Sequence, residues 1–558
     1  MVLDKNLVRK LIWGILFLTL SSLSPSLHAQ APITGKRIGL TFIPSDKASL
    51  VMGTTAPDAE CWIDLNNDGV CQPEERLPQG EKQSFTLPKE LQKATIYGPI
   101  SYLNLNKTAL SELDLSHTDA LRSLWCYNTL LTKIDVTGQP DLEELFCYFT
   151  AIQELDLSHN PKLAFLGVQN CLLTAIDLTT LPLLTEVYLD GNPLKSINIK
   201  KNPKLKKLAC MKTGLSQLDL SACPQLTFVE CSMNKFTSLD LSQQGELDTL
   251  KADVNELTDL DVTHCPKLKK LHLGGNKLAT LYLQKNPLLE DLNLNNNKME
   301  SLDFLKSVPE LKKLAIKGNA FKGAPDFSVA PKLEYINMAR CRFGQLDLSH
   351  NPLIQRLYCE RNDLKELDLK QIPLLYDLIA FENELTDLDF SSCTKLQYAD
   401  ISLNSLANEH MQHVVETLPL FKAWVNDFPA AGRFLAIDLA DEAEKNDITD
   451  AQATIAKAKE WEVYDAHAGD PRPYDGRTAV KSVVNADKTH VHYNPGNARL
   501  YFPNAETPDL RCVQIYSTNG EEVLREVLDA DETSLYVGML TDGTYVVTYG
   551  NRTDTFLK

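Results

Sequence analysis

The sequence predicts a β-rich solenoid of 21-residue coils, with a small β cap before it, an α/β cap after it and a C-terminal β-sandwich. Three observations carry that expectation. Near-identical phrases recur, "DLSHNPKLAFL" from Asp156, "DLSACPQLTFV" from Asp219 and "DLSHNPLIQRL" from Asp347. Apolar columns recur with them: Leu103, Leu124, Leu145, Leu166, Val187 and Leu208 stand 21 residues apart, as do Leu113, Ile134, Leu155, Ile176, Ile197 and Leu218. Finally, 558 residues is too long for one compact core, which stops growing at roughly 250–300 residues. A stack of coils escapes that limit because each coil buries its apolar edge only against its neighbours.

Residues 1–29 read as a signal peptide. Lys5, Arg9 and Lys10 form a positive start, "LIWGILFLTL" (11–20) is too short to span a bilayer, and "SLHA" (26–29) offers cleavage after Ala29. The chain is therefore expected to be exported, with no transmembrane segment after cleavage. Residues 30–95 form an N-terminal β cap region with short strands in "KRIGLTFI", "SFTL" and "ATIYG". Within it, "DLNNDGVCQPEE" (64–75) places Asp64, Asn66, Asp68, Gly69 and Glu75 at calcium-loop spacing. The same stretch also reads as an Asn/Gly-rich hairpin turn, since Pro73 is awkward inside a calcium loop and neither flank is helical. Calcium is the only cofactor the sequence suggests. Cys61 and Cys71 are the disulfide candidates.

The repeats occupy 96–408 in about fifteen units, from Ile100 to the unit opening at Leu396, with two 22-residue steps near Leu314 and Ile336. Aligned, the unit reads LxxLxLxxNxLxxLDLSxxPx and resembles a leucine-rich repeat. The ninth position holds Asn in units such as those of Asn192, Asn234 and Asn276, or Thr and Cys elsewhere, because buried backbone groups need a small polar partner where the strand turns away. "LDLS" is the return side, with its leucines inward. Its aspartates (Asp114, Asp135, Asp156 and so on) form a column that is either a capping ladder accepting nearby N–H and hydroxyl groups or a line of bound cations. Five of the 13 cysteines, Cys126, Cys147, Cys210, Cys231 and Cys359, take the inward sixth position and read as core thiols. That ladder resembles internalin-J-like bacterial surface proteins, which implies an extracellular adhesive role.

Beyond the repeats, residues 409–470 read as a closing cap: a helix in "ANEHMQHVVETL", a strand in "RFLAIDL", then a helix capped at Asp450 leading into a strand. Residues 471–486 form a Gly/Pro linker. Residues 487–558 alternate as strands, and "VQIYSTNGEEV" with a following "LTDGTYVV" resembles the C-terminal sorting domain of the type IX secretion system of Bacteroidetes. The resemblance implies engagement with secretion machinery and attachment at the outer-membrane surface. A plain β-sandwich ligand module is the other reading.

The formal charge of −18 disfavours nucleic acid as a partner. Serine-hydrolase, HExxH, phosphate-loop and dinucleotide motifs are missing from the contexts they need, so no enzyme is expected. The paired histidines of "HMQH" and "HVH" read as solvated or packed rather than metal-binding. Function should instead sit on the strands' outward positions. In most units these hold Lys, Asp, Asn or Gly, but the first units carry Trp125, Tyr127, Phe146, Tyr148, Phe149, Phe165 and Tyr188. They read as a concave platform for a protein or glycan on a host or bacterial surface. Alternatively the N-terminal cap covers them, or they stack across strands to stabilise the sheet. A structural surface or matrix component is the second expectation for the whole chain, and a hydrolase the third.

Overall fold

A computed structural model describes residues 35–44, 48–56, 60–78, 82–421, 431–469 and 471–474, and, between 491 and 558, the strands with a few residues beside them. Residues 1–34 and 475–490 lie outside the described residues, and with them the expected signal peptide and most of the expected linker.

The repeats form a leucine-rich repeat solenoid. Fifteen three-residue strands, from Tyr102–Asn104 to Tyr398–Asp400, line one face in strict sequence order. Neighbours pair in parallel with residue i opposite its 21-residue equivalent, as in Leu124↔Leu145 and Leu166↔Val187. The 22-residue steps leave the register intact, Leu292↔Leu314 and Leu314↔Ile336. The central residue of each strand, Leu in eleven and Val, Ile or Ala in the others, is fully buried, so the columns seen in the sequence become one continuous core.

Polar ladders hold successive coils together. Asn276 Nδ2 donates to Ala252 O (3.0 Å) of the preceding coil and Leu273 O (2.9 Å) of its own, while its Oδ1 accepts Leu257 N–H (3.0 Å). Where Thr replaces Asn the coil keeps part of this, as with Thr129 Oγ1 donating to Cys126 O. A second ladder, which the sequence reading missed, stands before the corner prolines: Asn160, Asn202, Asn286 and Asn351 each donate to two carbonyls of the preceding coil. The "xNP" spelling in the repeat was its signal. The aspartate column is a capping ladder: Asp156 accepts Ser158 N–H (2.9 Å), and Asp219 accepts both N–H and Oγ of Ser221. Those bonds hold both carboxyls below the usual carboxylate range.

The N-terminal cap comprises β1 (Arg37–Phe42), β2 (Ala48–Gly53), β3 (Trp62–Asp64), β4 (Lys82–Leu87) and β5 (Lys93–Tyr97), followed by the first coil's β6 (Tyr102–Asn104) and β7 (Leu110–His117). The cap closes the first coil on both sides. Strand β2 pairs antiparallel with β6 and carries β4 outside it, extending the concave sheet. Strand β1 pairs with β7 on the return side, in a sheet ordered β3-β5-β1-β7. The open edge is thereby hydrogen-bonded instead of left as a template.

At the other end the strands Gly432–Ile437 and Trp461–Asp465 continue the same parallel sheet, but their returns are helices, α1 (Glu409–Thr417) and α2 (Asp450–Ala458). Thr449, not Asp450, caps α2: its Oγ1 accepts Gln452 N–H. A threonine in extended backbone with Gln three residues on completes a capping box, and Asp450 falls in the first turn.

The C-terminal strands make two antiparallel sheets, 492–494/499–501/534–536 and 522–528/511–517/544–549/552–557. Val513, Ile515, Val547, Leu500 and Phe556 help fill a core that shares no residue with the solenoid's.

Candidate functional site

The aromatic residues singled out in the sequence come together on the first coils of the concave face. Trp125, Phe146 and Tyr188 occupy the fifth position, Tyr127 and Tyr148 the seventh, Phe165 the third and Phe149 the eighth. Five of them make ring contacts: Trp125 meets Phe146 edge-on at 5.3 Å, Tyr127 stacks on Tyr148 at 4.1 Å with the rings 9° from parallel, and Phe149 lies edge-on to Tyr148; Phe165 and Tyr188 stand on the next two strands. The strand Phe165–Gly167 supplies the space, since a Cβ on Gly167 would lie 2.5 Å from the Phe146 ring. Six of the seven are half-buried, by one another and by carboxylates: Trp125 Nε1 donates to Glu144 Oε2 (3.3 Å) and Tyr188 OH to Glu186 Oε2 (2.6 Å). The platform is therefore partly a cross-strand stack. The cap flanks it through β2 on β6, and Lys82 of β4 sits 3.4 Å over the neighbouring Tyr102 ring.

Phe149 differs from the rest. It is 53% exposed, and its φ is +52°. The eighth position of every repeat turns through left-handed backbone: twelve non-glycine residues there, from Lys107 to Leu403, have φ between +50° and +58°, and Gly191, Gly275 and Gly318 take the same place. Asn suits that conformation and a large aromatic does not; the strain is on the order of 1 kcal/mol. Phe149 combines backbone strain with exposed apolar surface. Neither stabilises the coil.

Further along, the fifth-position column turns polar, through Glu230, Lys251, His272 and Asn293, then apolar again. Tyr358, Ile379, Tyr398, Leu435 and Tyr464 form a second cluster, all buried, with Tyr335 and Phe381 packed against it. The sequence reading missed this cluster, although the third and fifth positions of the units opening at Leu333, Ile354, Leu375 and Leu396 spell most of it out.

The 64–75 loop only half fits a cation. Asp64 Oδ2 accepts Gly69 N–H (3.0 Å), while its buried Oδ1 has no partner and is suited to a cation. Glu75, in contrast, is committed to Leu65 N–H and Gln72 N–H, and the Asn66 and Asp68 side chains bond each other. Among the described residues no group of three or more His, Cys, Asp or Glu is placed to hold a metal ion.

The expected Cys61–Cys71 bridge does not form. Both are free thiols: Cys61 is 1% exposed within the cap's core, and Cys71 Sγ turns to Gln72 O at 3.7 Å. Packing claims one thiol and the loop claims the other. All five sixth-position cysteines are fully buried, and burial pushes their thiols up; for Cys147 the hydrogen bond with Cys171 is the larger cause. His413 of α1 pairs with Asp387 at 2.8 Å, and no described helix is long and apolar enough to cross a membrane.

The fold is that of a leucine-rich repeat protein, and it is similar to the internalin structures, which supports an interaction scaffold. Among solved structures, the functional domain of InlJ from Listeria monocytogenes, which includes a cysteine ladder, aligns at 26% identity with a TM-score of 0.55. The alignment covers 59% of this chain and 73% of that one. The internalin InlF from the same organism gives 20% identity, TM-score 0.46 and coverage of 54% and 86%. YopM, a leucine-rich effector protein from Yersinia pestis, gives 26%, 0.46, and 55% and 84%. The chain matches no family model, and no curated protein matches it.

Proposed function

We propose that this chain is a secreted, surface-displayed binding protein that takes a protein or glycan ligand on the N-terminal part of its concave face. The observation that carries the reading is Phe149, exposed and held in strained backbone beside the Tyr127–Tyr148 stack. The turn is common to every eighth position, and what sets Phe149 apart is a large exposed aromatic ring where the repeat asks for none. Trp125, Phe146, Phe165 and Tyr188 complete a surface of rigid rings with carboxylates at its margin, suited to sugar faces or an apolar epitope. Export rests on the 1–29 segment, and display on the resemblance of 487–558 to a sorting domain.

The test is a screen of glycans and host proteins against the full chain, followed by Phe149→Asn. Asn relaxes the backbone, so the variant should melt at the same temperature or slightly higher while losing roughly tenfold or more in affinity for any ligand found. Unchanged affinity would move the site elsewhere.

A further inference from the structure

The middle of the concave face holds a charged pair that neither the repeat nor the aromatic platform explains. Glu230, at the fifth position of its coil, is 5% exposed. Its carboxylate pairs with the guanidinium of Arg525, on the C-terminal strand Glu522–Leu528: Nη1 donates to Oε1 at 3.0 Å and Nη2 lies 2.9 Å from Oε2 in an ion pair, with Lys251 Nζ 4.0 Å from the same oxygen. The site is built before Arg525 arrives, because Glu230 Oε1 also accepts Ser232 N–H (3.0 Å) and the buried Asp253 lies one coil on. A second contact lies three coils on: Asn295 Nδ2 donates to Glu526 Oε2 at 3.4 Å.

These contacts place the C-terminal domain in the groove, and their chemistry says how it is held. Domain and solenoid have separate apolar cores. Among the described residues the side-chain bonds between them are ionic and polar, as at a separable interface. A planar guanidinium matched at two points to a carboxylate is also selective, since an ammonium offers no such fork. A buried pair of this kind adds little net stability but strongly penalises the loss of one partner.

We propose that the groove around Glu230 is an arginine-reading docking surface whose occupant is this chain's own C-terminal domain, held there through Arg525. The surface begins two coils beyond Tyr188, the last residue of the aromatic platform.

The experiment uses the full chain and Arg525→Ala, read by small-angle X-ray scattering and by binding of fluorescent hepta-arginine and hepta-lysine peptides. The variant should show a larger radius of gyration than the parent at monomeric mass. It should also bind hepta-arginine roughly tenfold more tightly than the parent does and more tightly than it binds hepta-lysine, a gain that Glu230→Gln then removes. Arg525→Lys, which keeps the charge and loses the fork, serves if the alanine variant misfolds and should shift both readouts the same way. Unchanged dimensions, equal binding of the two peptides, a gain that survives Glu230→Gln, or a parent whose domains exchange in a dimer would each overturn the proposal.

Discussion

The two ends of the concave face are built on one frame and put to opposite conditions. In the first coils Trp125, Phe146 and Tyr188 occupy the fifth position and stay half-exposed; in the last coils Tyr358 and Ile379 occupy the same position and are buried. The frame does not distinguish them, since Asn192 and Asn383 tie their coils to the preceding ones through equivalent bonds, each donating to a carbonyl there and accepting an N–H from Leu173 or Leu364. What differs is the variable positions and what lies against them. In a solenoid, then, the repeat explains stability, and departures from the repeat locate function.

The largest test of that comparison is to break the frame in both regions. Asn192→Ala and Asn383→Ala each leave buried carbonyls and an N–H without partners, so each should cost roughly 3 kcal/mol in denaturant unfolding. The two costs should agree within about 1 kcal/mol. A large disparity would mean that the coils are not equivalent and that the aromatic difference cannot be read at the side chains alone.

A smaller effect separates the regions by pH. Burial pushes the Asp400 carboxyl, at the fifth position of the last coil, up to about 6, against about 4 when unfolded. A raised folded value means the fold favours the protonated acid. Its contribution is complete below about pH 4 and is lost as pH rises through about 6. Asp400→Asn should therefore raise stability at pH 8 by about 1–3 kcal/mol and leave it nearly unchanged at pH 4. An equal gain at both pH values would show that Asp400 is not titrating under its covering.

Much of this was legible in the sequence. The 21-residue columns foretold the fifteen strands, their register and the buried thiols, because the same residue must fill the same space in every coil. The seven N-terminal aromatics were legible as outliers from a polar column. Other features depend on three-dimensional neighbours. Nothing in "DLNNDGVCQPEE" says that Glu75 folds back onto Leu65 and Gln72, and nothing in the cysteine spacing says that Cys61 is taken up by the cap's core. The strain at Phe149 becomes visible only once every eighth position is seen to share one left-handed turn. Arg525 and Glu230 are 295 residues apart, beyond any local pattern.

The account stands on one contrast, an open aromatic surface at one end of the face and a covered one at the other. Hydroxyl-radical footprinting of the full chain, with oxidation read residue by residue, measures it directly. Phe149, Tyr148 and Trp125 should oxidise readily, and Tyr358, Tyr398 and Tyr464 should be protected by a factor of roughly ten, in line with near-complete burial. Equal oxidation of the two groups, or protection of the first, would contradict it.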